Sequence, residues 1–176
     1  MRHLTRADYR AMPWANGRGT TLELARADGP VGIEWRLSIA SVVEDGAFSQ
    51  FPGIDRVLTV LDGPGFRLVG SGMDVQAAPL VPVAFPGDAA IAAVGVGAAC
   101  TDFNLMVARG RWRAEVRVDG AVTPGEVGFV LALEAGSVTV NGAVHPVQAL
   151  DLLRLDEGER ARAAVRHISV GLFRAG

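Results

Sequence analysis

The sequence predicts an all-β protein, built as a β-sandwich or a jelly-roll barrel. Short segments in which apolar and polar residues alternate strictly, such as residues 34–40, indicate strands with two distinct faces. Clusters of Gly, Pro, Asp and Asn separate these segments at close intervals, as β-turns require. No segment keeps a 3.6-residue apolar period beyond about a dozen residues, so no long helix is predicted. Many short strands joined by turns are typical of sandwiches and barrels.

The individual elements follow in order along the chain. Residues 3–10 carry a weak N-cap pattern and support at most two helical turns. The turn sequences at residues 62–65 and 141–142 each join two apolar runs, which is the pattern of a β-hairpin. Prolines interrupt residues 80–85, which favours an edge strand or extended arm, and residues 89–99 give no clear assignment. The predicted strands comprise residues 20–24, 34–40, 56–61, 66–69, 80–85, 102–107, 111–118, 129–133, 137–140, 149–155 and 165–173.

Two stretches of the chain repeat the same local pattern. Residues 61–63 and residues 133–136 each end an apolar run with an acidic residue and a glycine, and each precedes a short strand. This repetition predicts two related β-units, residues 1–108 and residues 109–176. We expect the two to pack as one compact unit, with exchange of strands between them allowed.

Composition excludes several classes of function. Hydrophobic residues make up 49% of the 176 residues, which is enough for a substantial core. The net charge of −2 and the isoelectric point near 5.9 give no attraction to nucleic acid or to a membrane surface. All 17 basic residues are arginine, so no lysine is available as a nucleophile or a Schiff-base former. Cys100 is the single cysteine, which excludes an intrachain disulfide, and we expect a soluble, cytoplasmic protein.

A glycine-flanked loop precedes the first predicted strand. The sequence Pro-Trp-Ala-Asn-Gly-Arg-Gly-Thr-Thr at residues 13–21 places Asn16, Arg18, Thr20 and Thr21 near the start of a strand. Glycine permits close backbone approach, so this loop has the features of a binding loop. The same sequence is equally compatible with a β-turn whose polar groups satisfy only one another.

The residue types needed for several kinds of catalysis are missing or scattered. The three histidines do not form an H-x-H pair and have no acidic residue at a metal-ligand spacing, so no metal site is expected. No G-x-S-x-G nucleophile elbow is present. The glycines of the opening loop match neither a phosphate-binding loop nor a dinucleotide fingerprint. No cofactor is therefore expected.

The remaining polar side chains are suited to holding a small anion. Arg18, Arg36 and Arg56 offer forked donors that match a carboxylate. Neutral polar groups and aromatic walls would complete such a pocket; they are Asn16, Thr20, Thr21, Ser38 and Asn104, and Trp14, Trp35, Phe48, Phe51 and Phe103. The alternative is a purely structural network in which Arg36 pairs with Asp102 or Glu34.

Four motifs in this order resemble the HutD/Ves family and span most of the first 108 residues. They are Pro-Trp-Ala-Asn-Gly-Arg-Gly-Thr-Thr at 13–21, Trp-Arg-Leu-Ser-Ile-Ala at 35–40, Asp-Gly-Ala-Phe-Ser-Gln-Phe-Pro-Gly-Ile-Asp-Arg at 45–56 and Asp-Phe-Asn-Leu-Met at 102–106. The second half of the chain matches only in its general β character. The resemblance implies a cupin-like double barrel (a bicupin) that is encoded with bacterial histidine-utilisation enzymes. It also implies an accessory or regulatory role without an established catalytic activity.

The resemblance supplies a set of candidate ligand-binding residues, taken by motif position. They are Asn16, Arg18, Thr20 and Thr21 from the opening loop, Trp35, Arg36 and Ser38 from the second motif, Phe48, Ser49 and Arg56 from the third, and Asp102, Phe103, Asn104 and Met106 from the fourth. The polar alternation of these strands leads us to expect that the residues surround one pocket.

Three functional hypotheses remain open at this stage. The first is a metal-free protein that binds a small carboxylate metabolite, such as histidine, urocanate, formiminoglutamate or formylglutamate, and tunes histidine breakdown. The second is a metal-independent isomerase or hydrolase of the same metabolites, with Asp102 or Glu34 as general base. The third is an interaction protein whose surface matters more than its pocket. No nucleic-acid or membrane partner is expected, and a homodimer is compatible with the sequence.

Overall fold

A computed structural model describes residues 1–13, 20–122 and 125–176. Apart from one turn of 3₁₀ helix at Arg6–Asp8, the regular elements of these residues are β-strands, so the all-β prediction is confirmed. No helix in the described part of the chain has the length and apolar character that crossing a membrane requires.

The strands of the described residues are numbered in chain order. The first nine are β1 (Arg2–Leu4), β2 (Arg10–Pro13), β3 (Thr20–Gly29), β4 (Gly32–Val42), β5 (Gly46–Ala47), β6 (Ile54–Asp62), β7 (Phe66–Gly70), β8 (Met73–Ala77) and β9 (Val83–Pro86). The other nine are β10 (Ala92–Val94), β11 (Cys100–Ala108), β12 (Trp112–Val118), β13 (Val127–Ala132), β14 (Gly136–Val140), β15 (Ala143–Val147), β16 (Leu152–Asp156), β17 (Ala161–Ala163) and β18 (His167–Arg174).

Residues 10–109 form one compact unit that contains two antiparallel sheets. The larger sheet has the strand order β2-β3-β4-β11-β6-β9, and the smaller has the order β5-β10-β7-β8. The proline-interrupted segment ends as β9 at the edge of the larger sheet, as the sequence predicts. The strands of this unit form two separate sheets, so the cupin-like barrel expected from the family resemblance is not closed among the described residues.

Strands β4 and β11 lie at the centre of the larger sheet and are buried on both faces. Trp35, Leu37 and Ile39 of β4 are buried on one face, and Arg36 and Ser38 are buried on the other. A polar face of this kind would ordinarily be solvated in an antiparallel sheet. The polar residues of these strands therefore belong to an interior.

The core of this unit is an aliphatic and aromatic cluster that β6, β7 and the neighbouring strands contribute. Leu58, Val60, Phe66 and Leu68 are almost completely buried within it, and Cys100 packs beside them as a small apolar residue. Close packing of this cluster fixes the strands that carry the polar face.

The second compact unit consists of Met1–Tyr9 together with Gly110–Gly176. Its five-stranded sheet has the order β1-β16-β13-β18-β12, and its three-stranded sheet has the order β15-β14-β17. As the sequence predicts, Asn141 and Gly142 turn the β14–β15 hairpin, with φ values of 49° and 86° that suit a type I′ turn.

The boundaries of the units differ from the prediction at the N-terminus. Residues 1–9 were assigned to the N-terminal unit, but they group with residues 110–176 because β1 pairs with β16 through Leu4 and Leu152. Leu4 is buried in that unit, and its burial favours this pairing. The described strands of this unit also form two sheets, so its expected cupin-like barrel is not closed either.

Candidate functional site

The polar faces of β4, β6 and β11 line a cavity of about 470 Å³ in the unit of residues 10–109. A volume of this size is within the usual range for small-molecule sites. The lining residues are Met12, Pro13, Thr21, Arg36, Ser38, Ala40, Val42, Ala47, Phe48, Ser49, Phe51, Arg56, Asp102, Asn104 and Met106.

Strand register explains why these side chains meet. Met106 of β11 lies opposite Arg36 of β4 on one side and opposite Arg56 of β6 on the other. Two residues along β11, Asn104 lies between Ser38 and Leu58. Neighbouring strands are about 4.8 Å apart, and every second residue shares a face, so the two arginines occupy one row across three strands.

The same alternation brings Asp102 into the next row. It lies opposite Ala40 of β4 and Val60 of β6, neither of which has a polar side chain. Asp102 is the only carboxylate among the described lining residues.

Arg36 is buried and held by a partner that the sequence interpretation missed. Its Nε donates to Oε2 of Glu23 at 2.7 Å, and its Nη2 lies 3.5 Å from Sδ of Met12. The expected partners were Asp102 and Glu34, so the predicted structural pairing is replaced by one with Glu23. Glu23 accepts a hydrogen bond only from Nε, so most of the other guanidinium N–H donors of Arg36 can bind another acceptor.

Arg56 is held between aromatic rings and two neutral acceptors. Its Nε donates to Oδ1 of Asn104 at 3.2 Å, and its Nη1 donates to the Ser49 carbonyl at 3.3 Å. The guanidinium carbon lies 5.4, 5.6 and 4.9 Å from the ring centroids of Phe48, Phe51 and Phe85, within the range of cation–π attraction.

Burial and a nearby like charge act together on Arg56. Loss of hydration, opposed by the charge of Asp102 and assisted by the charge of Arg36, lowers the pKa of Arg56 to about 10. Within the described part of the chain, Nη2 of Arg56 has no hydrogen-bond partner. The cavity therefore contains two guanidinium groups that repel each other and still have N–H donors to offer.

Asp102 is fully buried, and burial disfavours its ionised form. Neither of its carboxylate oxygens accepts a hydrogen bond of ordinary geometry in the described residues. Burial raises the pKa of Asp102 to about 7, against opposing effects from Asn104 and Arg56. The carboxyl group consequently titrates near neutral pH.

The structure brings most of the sequence-predicted residues to this cavity. Nine of the candidate ligand-binding residues line it: Thr21, Arg36, Ser38, Phe48, Ser49, Arg56, Asp102, Asn104 and Met106. Phe51, expected as an aromatic wall, lines it as well. Trp35 and Phe103 lie on the opposite faces of their strands and are buried there, because each is one residue out of phase with the polar row. Thr20 is exposed and does not line the cavity, and Asn16 and Arg18 lie outside the described residues.

Several lining residues were missed by the sequence interpretation. Met12 and Pro13 come from the short edge strand β2, and Ala40, Val42 and Ala47 extend the apolar part of the wall. The alternation of β4 could have supplied Ala40 and Val42, since they continue the row of Arg36 and Ser38.

No histidine is among the described residues that line this cavity. His3 contacts Asp151 at 2.9 Å, and the ring nitrogens of His167 lie 2.9 and 3.0 Å from the carbonyl oxygens of Val165 and Gly120. In the described ranges, no group of three His, Cys, Asp or Glu residues is close enough to hold a metal ion. The donor-rich lining instead matches an anion with a planar, forked acceptor, such as a carboxylate.

Comparison with known proteins identifies related chains. The profile of the HutD family matches residues 6–170. An uncharacterized 21.2 kDa protein in the hutC 3′ region of Pseudomonas putida is 41% identical over an alignment of 160 residues that covers 85% of this chain and 83% of that protein. Protein Ves of Cronobacter sakazakii is 36% identical over 141 residues, covering 76% of this chain and 78% of that protein.

Solved structures agree with these sequence matches. HutD from Pseudomonas fluorescens SBW25 superposes with a TM-score of 0.85 at 30% identity, and the match covers 99% of each chain. A cupin 2 conserved barrel domain protein from Leptotrichia buccalis has a TM-score of 0.58 at 10% identity over 93% of this chain and 94% of that chain, which shows a cupin-like fold. On the extent of these matches, the chain belongs to the HutD family.

Proposed function

We propose that this chain is a non-catalytic accessory or regulatory protein of histidine catabolism that binds a small carboxylate metabolite in the cavity of residues 10–109. The ligand carboxylate would lie between Arg36 and Arg56 and accept N–H donors from both. We also propose that the two units correspond to two incompletely closed cupin-like barrels.

The observation that carries this proposal is the pair of buried guanidinium groups on either side of Met106. The charge of Arg36 lowers the pKa of Arg56, so the two groups repel each other in the free site. An anion placed between them would replace this repulsion with two attractions. Bidentate contacts between arginine and a carboxylate are among the stronger hydrogen-bonded pairs in proteins.

The rest of the cavity supports a small, partly apolar ligand. Phe48, Phe51 and Met106 supply apolar surface, and Ser38 and Asn104 supply neutral polar groups beside it. A relative at 41% identity takes its name from the hutC 3′ region, which supports a link to histidine utilisation. We therefore favour histidine, urocanate, formiminoglutamate and formylglutamate as candidates.

Isothermal titration calorimetry with these four compounds tests the proposal. We expect at least one compound to bind the wild-type protein, and a double variant, Arg36→Met with Glu23→Gln, to lose at least tenfold in affinity. The double change removes both charges of the pair, because removing Arg36 alone would leave the Glu23 carboxylate, at 12% side-chain exposure, with the longer ion pair to Arg26 at 3.9 Å in place of its hydrogen-bonded partner.

The matched control is Arg67→Met. Arg67 belongs to the same unit, is exposed, and pairs with Asp74 away from the cavity lining, so its loss should leave binding unchanged. Absence of heat with all four compounds, for wild-type protein that is folded by circular dichroism, would contradict the proposal.

A second candidate function has one specific observation in its favour. A carboxyl group in a cavity with a pKa of about 7 is suited to general acid–base catalysis, and Asp102 has this property. Glu34, the other base considered, does not line the cavity. This alternative predicts that overnight incubation converts one of the four compounds, as seen by mass spectrometry, and that Asp102→Asn abolishes the conversion.

A further inference from the structure

We propose, on the basis of the carboxylate site proposed above, that Asp102 is a specificity-determining residue that couples ligand binding to the uptake of one proton. In this view the cavity accepts an anionic ligand most readily when Asp102 is protonated. Ligands that carry two carboxylates then depend on this proton more strongly than ligands that carry one.

The first support is the position of Asp102 in the wall of the cavity, with no ion pair among the described residues. Its exposure is 0%, it lies between Ala40 and Val60, and both oxygens lack a hydrogen bond of ordinary geometry in the described residues. A buried carboxylate of this kind costs folding free energy unless a hydrogen bond or an opposite charge compensates it. The side chains beside it on the neighbouring strands, Ala40 and Val60, are apolar and cannot pair with its charge.

The second support is the balance of charges that face Asp102. From β4 comes Arg36, which is paired with Glu23 of β3 at 2.7 Å and still repels Arg56, and from β6 comes Arg56. Asn104 on the same strand is neutral. Among the described residues, the two arginines are thus balanced by Glu23 and the ionised Asp102, and protonation of Asp102 leaves a net positive charge.

Competition for Arg56 links the ligand to the proton. The charge of Arg56 is one of the two interactions that favour the ionised form of Asp102. A ligand carboxylate that contacts Arg56 adds a negative charge and weakens that support, so the pKa of Asp102 rises from about 7 when the ligand binds. A group whose pKa rises on binding takes up a proton, and the affinity then falls as the pH increases.

The expected size of the effect follows from this linkage. If a ligand with one carboxylate raises the pKa by about one unit, affinity at pH 8 is about fivefold weaker than at pH 6. A second carboxylate adds to the repulsion, and a rise of about two units brings the ratio to about ninefold, close to the limit of about tenfold for a free-state pKa of about 7. Formylglutamate, with two carboxylates, should therefore depend on pH more steeply than urocanate, with one.

Calorimetry of wild-type protein and Asp102→Asn with formylglutamate and urocanate tests the inference. Titrations at pH 6, 7 and 8 give the affinity ratio, and titrations at pH 7 in two buffers of different ionisation enthalpy give the number of protons taken up. Asparagine keeps the shape of aspartate and does not titrate. The variant also corrects for the imidazole of urocanate, which titrates in the same range.

For the wild-type protein we expect uptake of a substantial fraction of one proton, and for Asp102→Asn we expect no uptake with formylglutamate and a flat pH profile. Binding that is independent of pH, or tighter at pH 8, would overturn the inference and leave the proposed function standing. A pH profile that Asp102→Asn shares with the wild type would overturn it as well. Failure of both compounds to bind wild-type protein at every pH would overturn the inference together with the two ligands that it assigns to the site.

Discussion

Two buried ionisable side chains, Arg56 and Asp102, determine how the charge of the cavity depends on pH. Arg56 is stabilised by three aromatic rings and two neutral acceptors, so its charge is retained at neutral pH although burial lowers its pKa to about 10. Asp102 has no comparable support, and its pKa rises to about 7. An unsupported buried carboxylate lowers the stability of the fold, a cost that is frequent at binding sites.

Asp102 therefore makes stability depend on pH. Its folded-state pKa of about 7 lies above the ordinary value of 3.8, so the stability it contributes is full at low pH and is lost as the pH rises to 7. We expect the stability of Asp102→Asn relative to wild type to increase by up to about 4 kcal/mol between pH 4 and pH 8. Urea unfolding of both proteins at the two pH values measures this change, and an equal difference at both would contradict the assignment.

At the level of the strand, the alternation of residues predicts most of the side chains that line the cavity. Alternation in residues 34–40 and 102–107 is enough to predict which side chains share a face, and the structure brings Arg36, Ser38 and Asn104 to one cavity. Alternation cannot reveal that the other face is buried as well, because burial depends on what packs against the sheet.

The missed partner of Arg36 has a local cause. An irregularity in the register of β3 between Glu23 and Ala25 places Glu23 opposite Ser38, next to Arg36. A β-bulge of this kind leaves no pattern in the sequence that would distinguish it from regular strand. The sequence therefore offered Glu34 and Asp102 as partners instead.

Two turn glycines with nearly the same backbone angle test the role of close packing at strand ends. Gly65 precedes β7 with φ of 84°, and Gly142 precedes β15 with φ of 86°. Alanine at either position adds about 1 kcal/mol of backbone strain, because L-residues disfavour this conformation. A Cβ at Gly65 would also collide with the carbonyl oxygen of Ala77, whereas a Cβ at Gly142 meets nothing within 4 Å.

We expect Gly65→Ala to be more destabilising than Gly142→Ala by about 1–3 kcal/mol. Thermal or urea unfolding of the two variants, each compared with wild type, supplies the difference. Equal destabilisation would show that the backbone angle alone decides the cost.

At the scale of the whole molecule, the chain divides into units that do not follow its order. The sequence predicts a boundary after residue 108, and the structure ends the first unit at Arg109, but residues 1–9 group with residues 110–176. Sequence repetition can locate an internal boundary, since it compares segments with one another. It cannot show that β1 pairs with a strand about 150 residues away, because that choice depends on the tertiary fold.

Tyr9 helps to hold the first residues within that unit. Its hydroxyl donates to the carbonyl of Leu150 at 2.6 Å and lies 3.3 Å from the carbonyl of Leu4. We expect Tyr9→Phe to lower the free energy of unfolding of this unit by about 1 kcal/mol, the typical contribution of one hydrogen bond. Val144→Ala, at an exposed position of the same unit, serves as the control and should change stability by less than about 0.5 kcal/mol.

Burial of β11 on both faces limits how descendants of this protein can diverge. A residue inserted or deleted at the start of Cys100–Ala108, with the register of the preceding chain kept, would exchange the two sets of side chains, turning Phe103 and Leu105 toward the cavity and Asp102 and Asn104 away from it. Either change would place polar side chains in the core and apolar side chains in the cavity. Evolution can therefore alter what the cavity holds by point substitution, while the length of this strand stays fixed.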